Sequence, residues 1–390
     1  MLNMPSNKSL KPPAKLKNIL IIGIGLIGSS LALAIRKNNL AETIYIYDSN
    51  LKNSELAIEN NIGDAVYNSF DESLKQFDVI FFCTPLSAYY YICEKIIENI
   101  TANTIVTDVG SVKQNPLEEI YKIYDLNKKS YLKKYFVPTH PIAGTENSGP
   151  LAGFDSLFKN KRLIITHSSE TNSASVEKIA SLWGAIGSDV IHMEAGKHDE
   201  IYAKVSHIVQ LVCSSFVSFL MKKKAELGDI NLYFFKDFVR VAGSDAKMWT
   251  DIFLYNKENI ITAIDLFLEK LSQQDFDGAI NLRKKIVVDE NYSPILCAAQ
   301  NRYLIPIAIS CGLVNLIDED IIKYAIGAGL ISMTKNLTLY DECNDFLKID
   351  LGAYVNEVIY FKKLIEKEDD ITLMNHLNSI KNFYRNSIIG

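Results

Sequence analysis

The hexapeptide GIGLIG at residues 23–28 constrains what this chain can fold into more than any other feature. It follows an Ile-rich apolar run, NILII at 18–22, typical of a strand buried on both faces. It opens into SSLALAIRKNN, whose apolar positions suit a helix packed on a sheet. Gly23 allows a tight turn, Gly25 removes a side chain where a pyrophosphate would approach the backbone, and Gly28 lets helix and strand pack closely. Leu26 and Ile27 lie inside that turn, at a helix start whose unpaired N–H groups and positive dipole end favour phosphate. Twenty residues after Gly28 comes Asp48, at the tip of the next strand, ETIYIYD. Its carboxylate is placed to accept hydrogen bonds from ribose hydroxyls and to repel a 2′-phosphate. Ser49 and Asn50 follow, with no Arg or Lys, so NAD is the expected cofactor rather than NADP.

The same theme recurs along the first half. DVIFFCTP (78–85) and TIVTDVGS (104–111) are buried strands that stop at Gly, Pro or Ser, and helical patterns such as SAYYYICEKIIENI fill the gaps. Alternating β and α segments imply a parallel sheet with right-handed crossovers. RLIITH (162–167) and DVIHM (189–193) are expected to extend that sheet. After Ala195 the strand patterns stop and nearly everything reads as helix. The expected class is α/β: a Rossmann-type, mostly parallel sheet in 17–195, behind a flexible leader 1–16, followed by an all-α domain in 196–390. Segments 251–271 and 350–368 share a D-x6-E start and similar apolar spacing, read either as a weak repeat or as two amphipathic helices of similar length.

Composition narrows the partners. The net charge of −5 comes without a polybasic block or basic-aromatic stripe, which argues against nucleic acid and anionic membrane. Six scattered cysteines without a CxxC pair fit reduced thiols in a cytoplasmic protein. The run 19–35 is broken by glycines and serines, and 208–221 is too short to span a bilayer, so no membrane partner is expected. His198 and His207 stand nine apart and share no helix face, so no metal site is expected; His198, Asp199 and His207 read mainly as structural or supporting residues.

Ligands of open α/β sheets bind outside the carboxyl ends of the strands, where Thr84 and Pro85 (in CTP) and Ser111 (in DVGSVK) fall. His140 follows the extended YFVPT and lies in a loop of small residues, VPTHPIAGTENSG. A neutral imidazole there can accept a proton from a substrate hydroxyl while hydride leaves the same carbon for the cofactor, or it can merely cap its loop.

Five stretches in order, GIGLIGSS, TDVGSVK, HPIAGTENSG, HDEIYAKVSH and FKDFVRVAGSDAKMWTDIFLYN, resemble the prephenate/arogenate dehydrogenase family of tyrosine biosynthesis, over about residues 17–290. The resemblance implies a Rossmann domain followed by a helical domain that makes a homodimer, and oxidative decarboxylation of prephenate or arogenate. It casts His140 as the group that takes the proton of the C4 hydroxyl, with Ser111 orienting hydroxyl or imidazole, and Arg240 as the holder of the substrate carboxylate. Thr145, Glu146, His207, Asp237 and Trp249 match positions that shape the family's pocket, although Trp249 reads first as a core residue. The family's Ser-His-Leu-Pro-His stretch is SHIVQ here, which keeps His207 and puts Gln210 where the second histidine would stand. Gln can donate and accept but carries no charge, which leaves open whether the keto acid prephenate or the amino acid arogenate is preferred; NAD use leans toward prephenate. Two rivals remain: a hydroxyacid dehydrogenase with a catalytic lysine, and a regulatory relative that binds NAD without turnover. Residues 291–390 extend beyond the usual family core and lack the pattern of an ACT-type sensing domain.

Overall fold

In the computed structural model the described residues are 13–145, 147–227, 236–273 and 351–384. The chain divides into two compact units, Met1–Asp199 and Glu200–Gly390.

The first unit is built on a six-stranded sheet. Its strands are β1 (Leu16–Ile22), β2 (Ala41–Tyr47), β3 (Ala65–Val66), β4 (Val79–Phe82), β5 (Ile105–Asp108) and β6 (Phe136–Val137). The connecting helices are α1 (Leu26–Lys37), α2 (Leu51–Glu59), α3 (Tyr89–Ile96) and α4 (Gln114–Leu126). The spatial order is β3-β2-β1-β4-β5-β6, and all neighbours run parallel. Order therefore reverses between β1 and β4, which opens a crevice at their carboxyl ends. The two central strands explain their own sequences. Ile19 to Ile22 and Val79 to Phe82 are wholly buried, covered on both faces, so neither alternates with polar residues.

One expectation fails here. RLIITH and DVIHM do not extend the parallel sheet. β7 (Thr139–Pro141), β8 (Arg162–Ile165) and β9 (Asp189–His192) form a separate three-stranded sheet, with α5 (Ser173–Ala185) between β8 and β9. In it β7 runs antiparallel to β8, and β8 parallel to β9. Pro138 sits between β6 and β7; lacking an N–H, it ends the first ladder, and its carbonyl accepts from Thr166 N at 3.0 Å in the second. Trp183 closes the core behind these strands, edge-on to Phe158.

The second unit is helical. The division between the units falls within α6 (Ala195–Tyr202), which runs through one π-helical turn, Ala203–His207, into α7 (Ile208–Leu227). The helical run Ala195–Lys222 spans 28 residues and is long and apolar enough to cross a membrane, longer than the 208–221 stretch suggested. Its apolar window is 78% buried inside the protein, the position of a core helix. Leu211, Val217 and Leu220 pack into one cluster with Phe253, Ile264 and Phe361. Around it lie α8 (Lys236–Ala242), α9 (Ala246–Tyr255), α10 (Lys257–Gln273), α11 (Leu351–Glu366) and α12 (Asp370–Tyr384). The two similar segments are built differently: 251–271 is broken at Asn256 between α9 and α10, whereas α11 is continuous. Of the extension 291–390, only α11 and α12 fall within the described residues. They are tied to α7 by Ser218 Oγ, 2.7 Å from Glu357 and 3.0 Å from His376, and by Lys222 to Glu357 at 2.5 Å.

Candidate active site

The glycine turn joins β1 to α1. Gly23 has φ +97°, and a Cβ there would lie 2.6 Å from the Cys83 carbonyl oxygen. A Cβ on Gly28 would lie 2.0 Å from the Gly23 carbonyl oxygen, so helix and strand touch backbone to backbone. Gly25, the N-cap of α1, is the opposite case: nothing stands within 4 Å of where its Cβ would be. That open side, with the unpaired first-turn N–H groups of Leu26, Ile27 and Gly28, is where a pyrophosphate fits. Asp48 accepts from Ile24 N at 2.9 Å with one oxygen and from Asn50 N at 2.8 Å with the other, which pins the acid to the loop. Thr84 Oγ1, just past β4, is buried without a partner among the described residues, and Pro85 follows it exposed. These residues fit NAD.

Beneath the crevice lies a buried ion pair. Lys113, 1% exposed at its side chain, donates to Asp108 at 2.5 Å and to the Thr139 carbonyl at 2.6 Å. Asp108 also accepts from Tyr89 Oη, Gly110 N and Thr139 N, and the Thr139 hydroxyl donates to the Asp108 carbonyl. Burial pulls the Lys113 ammonium below lysine's usual pKa, with Asp108 opposing it. The knot fastens β5 to β7 and so fixes the backbone of the next residue, His140.

His140 is in strand β7, opposite Ile164, and is 9% exposed; the loop expected around it begins only later. Its Nδ1 lies 2.8 Å from Nε2 of His198, with the rings 5.1 Å apart and at 68°. His198 is completely buried, and its Nδ1 lies 2.8 Å from Asp199 Oδ1. Asp199 in turn accepts from Lys113 N at 2.9 Å and Gln114 N at 2.8 Å, at the start of α4. Burial lowers the pKa of His198, outweighing the attraction of Asp199. The neighbour of His140 Nδ1 is thus His198, while Ser111 lies half-buried in the bend after Gly110. Thr145 is exposed, its hydroxyl accepting from Asn147 N, and Glu146 falls outside the described residues.

The remaining candidates belong to the helical unit. His207, buried at the end of the π turn, has Nδ1 3.0 Å from Asn256 Nδ2 and its ring 6.1 Å from that of Trp249. Gln210 is 2% exposed; its amide nitrogen reaches Ser214 at 3.4 Å, and its Oε1 has no partner among the described residues. The same holds for Trp249 Nε1. Arg240 is half-buried on α8, and the Asp237 side chain is outside the described residues.

Strand order and glycine turn together define a dinucleotide-binding unit, and a buried imidazole in the same unit can accept a proton. The class is a nicotinamide-dependent dehydrogenase with a helical second unit. Residues 31–192 match the family model described as prephenate dehydrogenase, nucleotide-binding domain, and 194–276 the one described as prephenate dehydrogenase, dimerization domain. The chain is 30% identical to the cyclohexadienyl dehydrogenase of Zymomonas mobilis, over 66% of this chain and 87% of that one. It is also 30% identical to the prephenate dehydrogenase of Bacillus subtilis, over 65% and 68%. A crystal structure of prephenate dehydrogenase from A. aeolicus, in complex with hydroxyphenyl propionate and NAD+, superposes with a TM-score of 0.61 at 30% identity, covering 81% of this chain and 99% of that one. The chain belongs to the prephenate dehydrogenase family.

Proposed function

We propose that this chain catalyses the NAD-dependent oxidative decarboxylation of prephenate to 4-hydroxyphenylpyruvate, acting as a homodimer through its helical unit. The observation that carries the reading is a buried His140, locked by a second histidine, in the unit that holds the glycine turn. NAD supplies the acceptor for the hydride on the ring carbon that bears the hydroxyl. His140 takes the hydroxyl proton as that carbon becomes a carbonyl, and loss of the ring carboxylate as carbon dioxide makes the ring aromatic. Because aromatisation is downhill, the protein's task is alignment and removal of one proton. Ser111 orients hydroxyl or imidazole, and Arg240 holds a substrate carboxylate with its planar fork. Thr145 and Glu146 of the first unit and His207 and Gln210 of the second are assigned to substrate binding. Support comes from the relatives' names and from the product-like hydroxyphenyl propionate held with NAD+ by the A. aeolicus enzyme. The homodimer rests on the description of the match over 194–276.

A second reading, arogenate as substrate, is favoured by one observation. Gln210 Oε1, a buried acceptor without a partner among the described residues, would suit an ammonium group. Absorbance of reduced nicotinamide, followed with NAD or NADP and with prephenate or arogenate, separates the readings. Turnover of prephenate with NAD is expected; turnover of arogenate alone would reverse the substrate, and NAD binding without turnover would mean a regulatory protein. His140→Asn should lower kcat by about 10³-fold with little change in KM. Arg240→Gln should mainly raise KM. Equal losses in both parameters for both variants would undo the assigned roles.

A further inference from the structure

We infer that His198 and Asp199 act as a positioning pair that sets which nitrogen of His140 carries hydrogen, and so makes His140 a base; this rests on the proposed proton abstraction by His140. The argument is one of donors and acceptors. Asp199, as a carboxylate, has no hydrogen to give and already accepts from the Lys113 and Gln114 N–H groups. At 2.8 Å from it, His198 Nδ1 must therefore be the donor. A neutral His198 with hydrogen on Nδ1 has a bare Nε2, which can only accept. His140 Nδ1, 2.8 Å away, must then carry its own hydrogen and donate it. The remaining ring nitrogen of His140, Nε2, is left as the one with the lone pair. A substrate hydroxyl proton is received there, and His140 becomes an imidazolium whose Nδ1–H still points at His198. When carbon dioxide leaves and the ring oxygen becomes a phenolate, the proton returns to that oxygen from Nε2. The opposite arrangement needs a charged His198, whose Nε2–H would donate to His140 Nδ1 and force hydrogen onto Nε2 of His140. That state is a dead base.

The surroundings select the first arrangement. His198 has no exposed surface, and the groups facing it include Asp199, Lys113, Asp108 and His140. The Lys113 charge is consumed by Asp108 and the Thr139 carbonyl, and it opposes a second cation nearby. The logic is that of a third group orienting a general base, with a second imidazole inserted between base and carboxylate.

Two measurements test it. In protein labelled with ¹⁵N-histidine, with the His140 signals assigned by their loss in His140→Asn, the native enzyme at neutral pH should show hydrogen on Nδ1 and none on Nε2. Hydrogen on Nε2 would overturn the inference. Among variants, His198→Leu should lower kcat by about 10²-fold while KM and NAD affinity hold. His198→Gln, whose amide oxygen can still accept from Nδ1–H, should stay within about tenfold of native. Native kcat in a folded His198→Leu protein would overturn the inference, as would equal losses in the Leu and Gln variants. Asp199 also caps α4, so its replacement is not a clean probe. If the leucine variant fails to fold, the ¹⁵N spectrum of the native protein decides alone. If the native protein turns over neither substrate, the reaction reading falls, while the spectrum still decides the tautomer.

Discussion

The candidate site residues of the two units differ in how their buried polar atoms are met, although each unit also holds buried polar atoms of the other kind, Thr84 Oγ1 in the first and the Ser218–Glu357 pair in the second. In the sheet unit, Asp108, Lys113, Thr139, His140, His198 and Asp199 answer one another, each donor meeting an acceptor within hydrogen-bond distance. In the helical unit, Gln210 Oε1 and Trp249 Nε1 are buried with no partner among the described residues. A satisfied network specifies one geometry, while an unsatisfied buried group costs free energy that a water or a ligand's complementary atom can return. At these residues the sheet unit holds a closed network, while Gln210 and Trp249 each leave one buried polar atom unmet among the described residues.

Breaking the ion pair should give the largest effect on stability. Lys113→Met removes the ammonium and leaves Asp108, 2% exposed, with its charge uncompensated. Loss of one partner of a buried pair costs about 3–5 kcal/mol of unfolding free energy, read by chemical denaturation. The double variant Lys113→Met/Asp108→Asn should recover part of that loss. A single variant within about 1 kcal/mol of native would show that the knot does not hold β5 to β7.

Gln210→Leu should behave in the reverse sense. Deleting an unsatisfied buried amide leaves stability unchanged or higher, because no bond of normal length is lost beyond the 3.4 Å contact to Ser214. Function should suffer instead: a KM for the accepted substrate raised about tenfold, or about 1.4 kcal/mol, with kcat nearly unchanged. A stability loss without a KM change would make Gln210 a plain structural residue and remove the contrast.

What can be read in the sequence follows the distance over which each feature is determined. The glycine turn is legible because Gly23 and Gly28 answer to contacts a few residues away and to one neighbouring strand. Asp48 is legible for another reason: its partner Ile24 lies 24 positions away, but a glycine turn of this spacing itself points to an acid at the end of the next strand. His140 stands out by residue type, but the loop composition around it hides a strand whose partner, β8, comes more than twenty residues later. The second sheet escapes a reading of the sequence because nothing in RLIITH says which strand it will pair with; Pro138 holds the only local hint. The link from His140 to His198 spans 58 positions, and the HD pair at 198–199 reads like any polar helix start. Lys113 is visible inside DVGSVK, yet full burial of a lysine is not something spacing can announce.

Acid should separate the units by the smallest margin. Burial lowers the pKa of His198 in the sheet unit and of His376 in the helical unit, with His192 beside His167 a further case in the former. A histidine kept neutral by folding binds fewer protons than its unfolded counterpart, so stability is complete above the unfolded pKa of ~6.5 and falls as pH drops below it. The slope from one such group cannot exceed about 1.4 kcal/mol per pH unit. His198 is fully buried, whereas His376 is half-buried beside Glu357, so water and the carboxylate blunt the effect of His376 relative to that of His198. The chain's two tryptophans make the test local: Trp183 reports the sheet unit and Trp249 the helical unit. With Trp249→Phe as background, fluorescence unfolding between pH 7.5 and 5.5 should show a shallower acid slope when His198→Leu is added, with His192 supplying the remainder. With Trp183→Phe as background, His376→Leu should flatten the slope less. If the helical unit proved the more acid-sensitive, His376 rather than His198 would be the histidine whose burial dominates, and the contrast between the two would be reversed.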